Sequence, residues 1–143
     1  MKNNIGLIII GIIILSFINT ALAGTNINEI WKSVLVEARG EGKVGMYAVA
    51  CVFRNRLNAN MDLGSSLKNK KRIRTIIKEE GKQGELIAKE VIQEVFIENG
   101  IDITFGATHF ENIEEFGIPY WYYDMNKTCK IGNHTFFREK WRF

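Results

Sequence analysis

Glu37 is the side chain of this sequence best placed to move a proton. Apolar residues at Ile27, Ile30, Trp31, Val34, Leu35 and Ala38 repeat at helical spacing, and at about 100° per residue Glu37 falls on the flank of that stripe rather than opposite it. Such a carboxyl is expected to be partly desolvated. Burial disfavours its charged form, and so does the negative end of a helix that stops at Gly40. A carboxylic acid still protonated near neutral pH can donate to the leaving oxygen of a glycoside. The plain alternative is a solvated charge at a helix edge. Glu29, off the stripe and third after the capping Asn26, illustrates that case.

Glu41 follows four residues later and would share a side with Glu37 if the helix continued, which Gly40 makes doubtful. It could raise its neighbour by like-charge repulsion, anchor Arg39 or a backbone amide, or stand as an exposed loop acid. A two-carboxylate glycosidase needs a second positioned acid. None of the aspartates suits: Asp62 lies in a loop, Asp102 precedes a strand and Asp124 follows an aromatic cluster.

The two histidines, His109 and His134, fall in strand-like blocks. Together with Cys129 or a carboxylate they form no defensible zinc spacing, so no metal and no cofactor is expected. Groove lining and strand hydrogen bonding are the roles left for them. Pro119, the only proline, opens the run Tyr120-Trp121-Tyr122-Tyr123. Flat faces with polar tips suit sugar rings, and packing under a loop is the competing role. Strand alternation sends Thr108 and Phe110 one way and His109 the other. His109 and Trp121 are the preferred groove residues, with His134 behind them and Phe110, Tyr120 and Glu41 as further substrate contacts.

The elements that must position these groups read as helices first and strands last, an α+β pattern dominated by helix. A second helix from Val44 to Leu57 is apolar all round and belongs at the centre of the domain. Arg54, Asn55 and Arg56 alone interrupt it, where basic groups suit the negative helix end. Asn58 to Lys71 reads as a loop edging the groove. A short helix carrying Ile73, Ile76 and Ile77 ends at Gly81, and a longer one from Glu85 to Glu98 ends at Asn99-Gly100. The basic run from Lys68 to Arg74 is a solvated face or a grip on an acidic polymer. Thr104 to Phe110 reads as a strand. Thr128 to Ile131 and His134 to Arg138 flank Gly132-Asn133, a hairpin signal.

Residues 1–23 have the layout of a secretory signal peptide: Lys2, an apolar run from Ile5 to Ile18, and Ala21-Leu22-Ala23 before the expected cut. An uncleaved membrane anchor is the alternative. Residues 24–143 then form one domain, exported to the periplasm, cell wall or medium. The whole chain has 19 Lys and Arg against 16 Asp and Glu, too even a balance to argue for nucleic acid. Cys51 and Cys129 could close one bridge in an oxidising compartment or remain two small apolar groups.

Several blocks, in order, resemble the SleB-type cell wall hydrolases, the family of the spore cortex-lytic enzyme catalytic domain. They are Glu37-Ala38-Arg39-Gly40-Glu41, Gly45 to Ala50 with Asn55-Arg56, Gly106-Ala107-Thr108-His109-Phe110, Pro119-Tyr120-Trp121, and Ile131-Gly132-Asn133-His134-Thr135-Phe136-Phe137. The resemblance implies a lysozyme-like fold with a small antiparallel sheet near the C-terminus. It also implies a lytic transglycosylase that cuts peptidoglycan between N-acetylmuramic acid and N-acetylglucosamine, with Glu37 catalytic. The segment Asn60 to Arg74 departs from the family, so one wall of the groove is expected to differ. A hydrolytic muramidase, a metal amidase and a silent glycan-binding or assembly protein are the alternatives. The expected partner is the glycan strand, met by a monomer, and a short exported domain also suits cutting directed by an envelope protein.

Overall fold

The computed structural model describes residues 27–64 and 68–140. The leader and the capping Asn26 lie outside them. Three helical segments come first: α1 at Ile27–Glu37, α2 at Gly42–Asn58 and α3 at Lys70–Ile92, the last running into a π-helical turn at Gln93–Ile97. A three-residue strand β1 at His109–Glu111, a short helix α4 at Ile113–Phe116, and the hairpin β2 (Met125–Ile131) and β3 (His134–Glu139) complete the chain. The domain is therefore α+β and mainly helical, with one antiparallel sheet ordered β1-β3-β2.

The stripe of α1 is buried as its spacing demands: Ile30, Val34, Leu35 and Ala38 have no exposed surface. It packs against α3, whose Ile73, Ile76, Ala88, Val91 and Ile92 share the same core. Packed against both, α2 is closed on nearly every side, from Met46 through Phe53. Gly81 supplies the break expected in the third helical stretch. Its φ of +65° and ψ of −165° are far from helical, so α3 is two helices meeting at a kink.

A second cluster of Ala48, Val52, Ala107 and Phe136 ties α2 to the sheet. Each large side chain so buried contributes about 1.5–3 kcal/mol. The hairpin forms where expected, around Gly132-Asn133, with an irregularity in register between Lys127 and Cys129. The expected strand from Thr104 to Phe110 is shorter than its composition suggests, because pairing begins only at His109. Asp102 is the reason. Its carboxylate accepts from the Thr104 amide (2.8 Å), the Thr104 hydroxyl (2.6 Å) and the Gly106 amide (2.8 Å), winding 102–106 into a loop.

Both cysteines carry free thiols. Cys51 approaches the Ile101 carbonyl at 3.9 Å and Cys129 the Ile103 carbonyl at 3.8 Å, so the thiols reach the 101–103 segment through separate carbonyls. No helix among the described residues is long and apolar enough to cross a membrane.

Candidate active site

Glu37 is the last residue of α1, where the chain leaves the helix for the turn through Gly40. Being on the flank of the stripe leaves it half-buried, and it opens on a cleft of about 730 Å³. The turn is held by Arg39, whose guanidinium pairs with Glu79 at 3.0 Å and Glu80 at 3.6 Å on α3. One wall of the cleft is thereby fixed to the next.

Beside Glu37, from the far end of α2, comes Arg56. It donates to the Thr108 carbonyl at 2.6 Å and the Leu63 carbonyl at 3.2 Å. Burial holds this guanidinium below its usual range, and the charges of Glu37 and Asp62 push it back up. Glu37 and the half-buried guanidinium of Arg56 thus line the same cleft. No side chain among the described residues hydrogen-bonds the Glu37 carboxylate, which leaves it free to engage a group entering the cleft.

Glu41 also reaches the cleft, with its oxygens already engaged. They accept from the Asn133 amide at 2.9 Å and the Asn133 side-chain nitrogen at 2.7 Å. Of the roles open to it, anchoring a backbone amide is the one seen. Glu41 holds the hairpin turn against the start of α2, and with it the residues that follow Asn133.

Of the aromatic and histidine candidates, Phe110 and His134 line the cleft, while His109, Tyr120 and Trp121 do not. The preference for His109 and Trp121 over His134 is therefore reversed. Phe110 meets His134 edge-on at 5.1 Å and Phe136 at 5.9 Å. This is the face of the sheet turned to the helices. His109 and Phe137 pair on the other face, where Trp121 packs on both at 5.2 and 5.3 Å. Tyr122 also packs on Phe137, whereas Tyr120 is 95% exposed and off the cleft. Loop packing is thus the role of Trp121 and Tyr122. Burial first, then the charge of Arg56, lowers the pKa of His109, with Glu139 opposing, so the ring is neutral at ordinary pH.

The two histidines sit on opposite faces of one sheet, which separates them as ligands. Among the described residues no group of three or more His, Cys, Asp or Glu is placed to hold a metal. His134 instead buries Nδ1 with no hydrogen-bond partner while lining the cleft. Because Nδ1 is closed to solvent, it is not the part of His134 that meets the cleft.

Three cleft groups were not singled out from the sequence. Glu111, on β1, uses one oxygen to accept from the Asn112 amide at 3.0 Å. Phe116, 71% exposed at the end of α4, offers an apolar face at the cleft mouth. The sequence alone suits Arg56 to the negative end of its helix, not to the cleft. Its position in an otherwise buried helix was the available signal, since a buried cation must find acceptors. The segment from Asn60 to Arg74 supplies the remaining wall, through Leu63, Gly64, Asn69, Lys71 and Arg72. Comparison with protein-family models, with curated proteins and with solved structures found no match to this chain.

Proposed function

We propose that this protein cuts the glycan strands of peptidoglycan between N-acetylmuramic acid and N-acetylglucosamine, as an exported lytic transglycosylase of lysozyme-like fold. The observation that carries the reading is convergence. Blocks separated by about a hundred positions, Glu37 to Glu41, Phe110, and Asn133-His134, meet on one cleft with a half-buried carboxyl at its floor.

In this reading Glu37 gives its proton to the bridging oxygen as the bond from the muramic anomeric carbon breaks. The C6 hydroxyl of the same sugar then attacks that carbon, and its proton goes to the Glu37 carboxylate. No water is consumed and no enzyme nucleophile is needed. Arg56 stabilises the carboxylate after it has released its proton. Phe110 and Phe116 offer apolar faces to sugar rings.

Mass analysis of soluble products from purified sacculi tests the chemistry, with 1,6-anhydro ends one water lighter than hydrolysed ends as the expected series. Glu37→Gln should lower turnover by about 10²–10⁴-fold while sedimentation with sacculi and the melting temperature stay unchanged. Undiminished cleavage by that variant would remove Glu37 from the role. One observation favours a hydrolytic muramidase instead: Glu111 lines the same cleft and supplies the second carboxylate that hydrolysis requires. Product ends carrying the extra water, and lost on Glu111→Gln, would select it.

A further inference from the structure

Most charged groups lining the cleft are already partnered within the protein. Arg39 pairs with Glu79, Asn133 holds Glu41, and Asn112 donates to Glu111 and Glu115. Arg56 serves two carbonyls beside Glu37. Among the described residues, two cations on the cleft wall have side chains with no acidic or carbonyl partner: Lys71 and Arg72, in the first turn of α3.

Their placement does not serve the helix. That turn contains no acidic residue, and positive charges at a helix start oppose its dipole. Both side chains are exposed, yet they stand in a row with other cleft residues. Arg72, Thr75, Ile76 and Glu79 form one stripe along the cleft, and Glu79 is the residue that Arg39 grips beside Glu37. Seven residues of helix put the cations about 10 Å along the cleft from that grip. The cleft therefore presents a proton-transfer group at one place and an unneutralised positive patch farther along.

We propose that Lys71 and Arg72 bind carboxylates of the stem peptide carried by muramic acid, making peptide-bearing glycan the preferred substrate over strands with no free carboxylate. This rests on the function proposed above. The lactyl carboxyl of muramic acid is tied up in the amide bond to the peptide, so the charges that an intact strand offers these groups are the carboxylates its stem peptides carry at intervals along it. A guanidinium matches a carboxylate in a two-point fork and an ammonium as a point charge.

The test is equilibrium binding of the Glu37→Gln protein, used to stop turnover, to soluble glycan strands with their stem peptides and to the same strands stripped of them, the lactyl carboxyls so freed being capped as neutral methylamides. The expected preference for peptide-bearing strands is about tenfold, as two exposed charge contacts would supply. Adding Lys71→Gln and Arg72→Gln should bring it to about twofold or less, while Lys71→Arg retains it; raising salt should shrink it as well. Equal binding of the two strands by the protein with both cations in place would overturn the inference and leave glycan recognition standing. A preference that persists after both cations are removed would overturn it too. Binding to neither strand would instead sink the proposed function itself.

Discussion

Glu41 and Gly132 are fitted to each other atom against atom. A Cβ at Gly132 would stand 1.8 Å from Oε2 of Glu41, and the backbone there has φ +58°. Gly132→Ala must therefore displace the carboxylate from Asn133 as well as strain the turn. The expected cost is about 2–4 kcal/mol, from a left-handed backbone and weakened charge-assisted bonds. Glu41→Ala removes the same bonds without the strain, so the double variant should cost clearly less than the two singles together, read from denaturant unfolding. Simple additivity would mean that the contact is not what the glycine accommodates. At this scale the position of Glu37 was legible, because the phase of one apolar stripe locates its flank. The choice between histidines was not. Alternation says that His109 and Phe110 face opposite ways, but which face meets the helices depends on packing partners, here Ala48, Val52 and Phe136, that lie far away in the chain.

Three consecutive polar residues near the end of α2 hold the loops that surround it. Arg54 donates to the Val95 and Gly100 carbonyls, both at 2.8 Å. Asn55 donates to Asp102 and to the Ala107 carbonyl, both at 2.9 Å, and Arg56 reaches Thr108 and Leu63. The central helix thus carries the cleft's strand wall on its side chains. Asn55→Ala leaves the Ala107 carbonyl and one Asp102 oxygen short of a donor in a half-buried place. A loss of about 1–3 kcal/mol is expected, against about 0.5 kcal/mol or less for the exposed Asn58→Ala; denaturant midpoints of the two variants decide it. The helices themselves could be read from periodicity, and the Gly81 break and the Gly132-Asn133 turn from residue type. The loop at 102–106 could not. Its β-branched and aromatic composition suits a strand, and only the hydrogen bonds of one aspartate, local in sequence yet stronger than the propensity, decide otherwise.

Taken whole, the molecule joins a helical body to a small sheet through the segment from Ile101 to Thr108, and what fastens that segment determines what can loosen the cleft. A disulfide is not the fastening. Cys51 is fully buried and its thiol is pushed up to about 11, chiefly by burial, while burial also raises Cys129. Reductant should leave the melting temperature unchanged, and Cys51 should resist alkylation until the protein unfolds; a shift on reduction would reveal a bridge. The fastening is Asp102. Burial pushes its carboxyl upward, but hydrogen bonds from the Thr104 hydroxyl, Asn55 and the amides of Thr104 and Gly106 together outweigh that and hold it below 3.8. The folded state therefore binds this proton less readily than the unfolded chain does. Its contribution is fully present above about pH 3.8 and is lost as the pH falls through the lower folded value. Acid should thus loosen the join between body and sheet, and Asp102→Asn should flatten that part of the stability curve while lowering stability at neutral pH. Unfolding free energies measured from pH 6 to pH 2 for the two proteins carry the test. Parallel curves would show that the join is held by packing around Phe136 and Ala107 rather than by the carboxylate.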